Sequence, residues 1–215
     1  MEVRLGVDIV MDPIILPEPR KSGGKSLLDA IALRQTNRNI SSREIPLQVL
    51  SDLLWAAFGV NRENASFKKS GRTAPSASNS QEIDLYIALK DGLYVYEATS
   101  HQLTPVADKD YRISSGRGYA IDLIKHTPVN IFYVVDLERY DLGPDQPDPH
   151  IGDPEVQKSY YFTDTGFIAQ NINLFAASEG LATWFHNCEK DSIKSEFKLR
   201  PTQRILFAQT IGYPS

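Results

Sequence analysis

The chain has 215 residues, 41% hydrophobic and 23% charged, with a formal net charge of −4. That length suits one large domain or two small ones with a sizeable core. The acidic balance argues against a nucleic-acid or membrane-surface partner, because both require a basic face. Cys188 is the only cysteine, so no internal disulfide and no thiolate cluster can form. His101, His126, His150 and His186 lack the close spacing of helical zinc ligands. No apolar run approaches the ~20 residues that span a bilayer. The stretch "VDIVMDPIILP" is too short and too acidic for a signal core, so a cytoplasmic location is expected.

Residues 1–25 include a Pro- and Gly-rich stretch and read as an extended arm, leaving 26–215 as one α+β domain. Ser26-Leu27-Leu28-Asp29 has the form of a helix N-terminal box. With Leu27, Leu28 and Ile31 at helical spacing, it predicts a helix over 26–37. A second helix opens at Pro46 and closes near Gly59, with Leu47, Leu50, Leu54 and Ala57 on one face. Residues 60–80 turn polar and read as loop. Ile83, Leu85, Ile87 and Leu89 alternate with other residues, which predicts a strand over 82–89. Asp91-Gly92 followed by "LYVYEA" signals a hairpin. "PVNIFYVVDL" (128–137) suits a strand buried on both faces. The stretch 141–155, dense in Pro and Asp, reads as a long surface loop of the kind that forms lids, and it lacks EF-hand ligand spacing. A helix over 164–179 ends at Gly180, and "RILFAQTIG" (204–212) is a last strand.

Two stretches could carry chemistry. Arg34, Thr36 and Arg38 close the first predicted helix, where two guanidinium forks and a hydroxyl could clamp a phosphate. The plainer reading is that these cations complement a helix dipole. The run Arg72–Gln81 concentrates hydroxyls and carboxamides just before a strand, and Asn and Gln can match the edge of a flat polar ring. A turn-rich loop is the plainer reading there too. Cys188 and His186 read as buried structural residues, and Trp55 and Phe58 as core. Tyr160, Tyr161 and Phe162 lie just after the lid-like loop and are a further place for a ring cover.

Taken together, "LRQTNR", "PSASNSQ", "TGFIAQNINLFAASEGLATWF" and the closing Gly212-Tyr213-Pro214 resemble the nitroreductase family, in that family's order. "LLWAAFGVNR", "RTAPSASNSQEIDLYIA" and "DGLYVYE" resemble its short branch, related to azoline-forming dehydrogenases. The resemblance covers about residues 12–214. It implies a central, mostly antiparallel sheet flanked by helices in an intertwined homodimer, with FMN at the subunit interface and NAD(P)H as reductant. It also implies a small oxidised acceptor, nitroaromatic or quinone. The site residues it implies are Arg34, Gln35, Thr36 and Arg38 near the phosphate, and Pro75, Ser76, Ser78, Asn79 and Gln81 from the other subunit along the flavin. His186–Glu189 falls where a backbone amide meets flavin N5, although Asn187 stands where the family has glycine. The family's basic residues beyond the last strand have no counterpart before Ser215, and Arg72 and Arg204 are the candidate substitutes. No catalytic acid is assigned. Two alternatives stand beside hydride transfer from NAD(P)H: azoline oxidation on a peptide, and flavin binding without turnover.

Overall fold

The computed structural model describes residues 11–141, 143 and 148–215. The first element, β1 (Ile14–Ile15), ties the arm to the body, and Leu16 behind it is buried. The arm is held again where Arg20 bonds Asp52 (2.6 Å) and Glu179 (3.1 Å). Helix α1 (Leu27–Leu33) starts as expected, with the Ser26 hydroxyl accepting from the Asp29 N–H at 3.2 Å. It ends four residues short of the predicted 37. Arg34 adopts ψ 119, which no helix continues, and the Asn37 N–H donates instead to the Thr183 carbonyl at 3.0 Å. A contact with a distant strand therefore overrides local spacing. Arg34 and Arg38 do not share a helical face.

Helix α2 (Leu47–Phe58) buries Leu50, Leu53, Leu54 and Ala57 while Leu47 stays exposed. The stretch expected as loop holds a small ladder, β2 (Val60–Arg62) against β3 (Gly71–Arg72). Strand β4 (Ile83–Ala88) and strand β5 (Leu93–Glu97) form the predicted hairpin around Asp91-Gly92. A third strand of this meander, β6 (Gln102–Ala107), carries no clean alternation and was not anticipated. Helix α3 (Ala120–Ile124) is a short turn before β7 (Val129–Asp136), all of whose residues are buried.

Helix α4 (Pro154–Glu179) is ten residues longer at its start than predicted. Asp153 caps it through the Glu155 N–H (2.9 Å) and Pro154 pre-sets its first turn, so two residues that looked like loop are a helix start. Tyr160, Tyr161 and Phe162 thus stand inside a helix. The lid reading of 141–155 falls partly outside the described residues. Its described end is pinned, with Ile151 buried and the Tyr160 hydroxyl donating to Asp148 at 2.8 Å. Gly180, at φ 72, closes the helix. Strand β8 (Ala182–His186) follows, then β9 (Gln203–Gly212).

Among the described residues the main sheet has seven strands in the order β1-β6-β5-β4-β7-β9-β8, and every neighbouring pair is antiparallel. The pleat sorts its side chains between two cores. Ile83, Leu85, Ile87, Ile131, Tyr133 and Val135 meet α2 and α4 on one face. On the other, Tyr86, Phe132 and Val134 meet the segment after β8, where Phe197 contacts the rings of Tyr86, Tyr111 and Phe132. This is an α+β fold with helices and loops covering a central antiparallel sheet.

Two apolar surfaces remain open. Helix α1 buries Ala30 but leaves Leu27, Leu28, Ile31 and Leu33 at least half exposed. On α4, Phe162, Thr163, Gly166, Phe167 and Gln170 form an exposed stripe at helical spacing.

Candidate functional site

The segment Arg34–Asn39 lies along the C-terminal end of α4. Asn37 is tied to Thr183, Ser41 N–H to the Tyr213 carbonyl (2.8 Å), and Ile40 bridges Pro214. Gln35 and Asn37 line a cavity of about 330 Å³ with Asn173, Leu181 and Lys25. Arg38 instead sits over Trp184, 5.1 Å from the ring centroid, and Trp184 in turn stacks on Tyr119 and meets the tilted ring of His186. Among the described residues neither Arg34 nor Arg38 has a carboxylate partner, whereas Arg20, Arg112, Arg139 and Arg200 all do. Two guanidinium groups with unspent donors on one short segment fit a phosphate.

The two substitutes considered for the remaining phosphate contacts do not reach this segment within the chain. Arg72 donates to Gln81 Oε1 (2.8 Å) and lies over Phe58. Arg204 pairs in register with Val135, at the far end of β9 from the Ile40–Pro214 bridge.

The second stretch, residues 75–81, is a strained loop. Ser78, Asn79 and Gln81 have φ of 51, 51 and 56, a region costing L-residues roughly 1–2 kcal/mol each. Its own carboxamides hold that shape. Asn79 Nδ2 donates to the Ser66 carbonyl at 3.0 Å, and Gln81 Nε2 donates to Ser70 (2.6 Å) and to Asn79 Oδ1 (3.0 Å). The Gln81 N–H is taken by Ser76 Oγ at 3.0 Å. The Gln81 side chain is therefore buried in the loop's own scaffold, and what the loop leaves half-buried or exposed is Pro75, Ser76, Ala77, Ser78 and Asn79. A side chain spent on stabilising a strained backbone looks identical, in sequence, to one aimed at a ligand.

The two stretches meet α4 at different points. The loop is anchored by the Ala77 N–H on Asp164 (2.8 Å) in mid-helix, and Gln35 and Asn37 share a cavity with Asn173 and Ala177 towards the helix C-terminus. Those points on α4 are roughly 13–20 Å apart at 1.5 Å per residue. One chain does not bring them together.

Beyond β8 the chain passes through His186–Glu189. His186 is buried, its Nε2 2.9 Å from Thr210 Oγ1, and burial holds its pKa below the ordinary value. Asn187 is exposed. Cys188 is buried, and desolvation pushes its thiol up to about 12. It should therefore resist alkylation at pH 8, reacting roughly a thousandfold more slowly than a free thiol as the thiolate fraction falls. Rapid labelling of the folded protein by iodoacetamide, followed by mass spectrometry, would show the site to be open. Among the described residues no helix is long and apolar enough to cross a membrane, and no three His, Cys, Asp or Glu side chains gather as metal ligands.

The sheet order and the long central helix define a nitroreductase-like α+β fold. The chain belongs to the nitroreductase family, whose profile matches residues 31–213. A nitroreductase-family structure from Ralstonia eutropha superposes with TM-score 0.81 at 30% identity, covering 94% of this chain and 90% of that one. A nitroreductase-family protein of Methanocaldococcus jannaschii is 26% identical over 168 residues, 73% of this chain and 76% of its own length. A chain of the Escherichia coli microcin synthetase McbBCD complex shares the fold, with TM-score 0.66 at 17% identity over 93% of this chain and 76% of that one. The family is one of oxidoreductases that generally use a flavin and NAD(P)H.

Proposed function

We propose that this protein is an FMN-dependent oxidoreductase that moves hydride from NAD(P)H to a small oxidised acceptor, nitroaromatic or quinone, by a ping-pong cycle in the cytoplasm. The observation that carries this reading is the separation of the two stretches along α4, the 75–81 loop on Asp164 and the Arg34–Arg38 segment beside Asn173 and Ala177. A two-fold homodimer would set the 75–81 loop of one protomer beside the Arg34–Arg38 segment of its partner. The open apolar faces of α1 and α4 supply surface for that dimer.

Arg34, Thr36 and Arg38 would take the FMN phosphate, with Gln35 on the cavity side of the same segment. Pro75, Ser76, Ser78 and Asn79 would line the flavin from the partner protomer, with Gln81 bracing them. Bound FMN supplies the hydride chemistry, and the protein orients it and keeps water away. The reductant and the acceptor would use one pocket in turn, which is why no proton-donating side chain is assigned.

The test is to reconstitute the purified protein with FMN or FAD, identify the flavin retained, and follow NAD(P)H oxidation with a quinone or nitroaromatic acceptor. FMN retention with turnover and mutual competition between the two substrates is expected. Retention of FAD, or of no flavin, would defeat the phosphate assignment. Retention without turnover would mean a flavin-sequestering protein.

A further inference from the structure

Two buried carboxyl groups lie directly beneath the 75–81 loop. Glu82, 0% exposed, opens onto β4, and Asp164, 4% exposed, projects from α4. Each holds one end of the loop. The Ala77 N–H donates to Asp164 Oδ2 at 2.8 Å, and the Ser80 hydroxyl donates to Glu82 Oε2 at 2.6 Å. The Ser80 N–H donates to the Ala77 carbonyl at 3.0 Å, so the two carboxyls sit under one turn of chain. Carboxylates have only lone pairs to offer one another, so two packed together away from water favour holding a proton between them. Glu82 Oε1 is buried without a hydrogen-bond partner, an atom that such a proton would satisfy.

The charges around the pair support the same count. Lys69 donates to the Ser80 carbonyl at 3.2 Å and feels the charge of Glu82. Arg139 is committed to Asp84, 2.6 Å away, and to Asp136. Among the described residues Tyr140, Tyr160 and Tyr161 also flank the pair, and the phenols of Tyr140 and Tyr160 are raised above their ordinary value, so neither of those two adds a charge. One negative charge on the pair is balanced by Lys69. A second would be left without a cation.

We propose that Glu82 and Asp164 share a single proton, and that this proton latches the 75–81 loop in the shape that lines the flavin. Asp164 is then a positioning residue, acting on the flavin through the loop. The inference rests on assigning that loop to the flavin site, and it ties flavin retention to pH. Burial, reinforced by the charge of Glu82, pushes Asp164 up to about 7. A carboxyl raised in this way stabilises the closed loop fully below its ordinary range, and the stabilisation is lost as pH rises through about 7. Above that, two like charges in contact part, and they carry Ala77 and Ser80 with them.

Asp164→Asn separates the latch from ordinary packing. The amide keeps the shape, accepts from Ala77 and donates to Glu82 at any pH. Wild-type protein should lose about tenfold in FMN affinity between pH 6 and pH 8, and Asp164→Asn less than about twofold. Without flavin, the wild-type unfolding midpoint should fall relative to the variant over the same interval. Parallel pH profiles for the two proteins in both measurements would overturn the latch. Should Asp164→Asn not fold, Glu82→Gln places the same donor on the other side and is expected to flatten the profile equally. If no flavin binds at any pH, the cofactor reading fails, and the flavin-free midpoints alone decide the latch.

Discussion

A protein carrying both Leu28→Glu and Phe167→Glu is expected to be a folded monomer that retains no flavin. Leu28 is 77% exposed and Phe167 44% exposed in the isolated chain, so neither change removes a core contact. Burying such a side chain on association contributes about 1.5–3 kcal/mol, and an unpaired carboxylate in its place costs about 3–5 kcal/mol more. The dimer dissociation constant should rise at least about a thousandfold. Flavin should be lost with the dimer, because the proposed site draws the loop and the phosphate segment from different protomers. Sedimentation velocity together with flavin absorbance reads both consequences. A variant that sediments as a yellow dimer would place the interface elsewhere on the surface.

Arg34→Ala is expected to weaken FMN binding by about 1.5–3 kcal/mol, the range for a hydrogen bond to a charged group. That is a roughly 10- to 150-fold rise in dissociation constant. The chain fold should be unaffected, because the Arg34 backbone N–H makes the helix-ending bond to Ala30 at 2.9 Å and alanine keeps it. Arg34→Lys should recover only part of the loss, since an ammonium cannot bond phosphate as a fork. Flavin fluorescence quenching gives the constants. An unchanged affinity would move the phosphate site off Arg34 and towards the neighbouring cavity lined by Lys25, Gln35 and Asn37.

Most of the elements were legible because their signals are local. Alternation in Ile83–Ala88, the Asp91-Gly92 turn, the unbroken apolar run of Val129–Asp136 and the Ser26 cap each follow from pleat, turn or cap chemistry within a few residues. The start of α4 was hidden by composition. Asp153-Pro154 is a strong helix opening, but it follows a run of Pro and Asp that reads as loop. Strands β6 and β8 were missed for another reason: each is made a strand chiefly by the partner it lies beside.

By itself, then, the sequence determined the family and the α+β class, and it singled out the two stretches proposed for the flavin, because motif order and hydrophobic period are properties of the chain. Tertiary structure alone decided how those stretches are shaped and held. Long-range bonds from Asn37 to Thr183 and from Ser41 to Tyr213 stop α1 early and place the arginines on a non-helical segment. Contacts across 87 positions, from Ala77 to Asp164, set the loop on a buried acid that no local pattern could reveal. The apolar spacing of α1 was readable, but its direction was not. Periodicity shows that a helix has an apolar face, and only packing shows that Ala30 turns to the core while Leu28 and Ile31 are left to meet another surface.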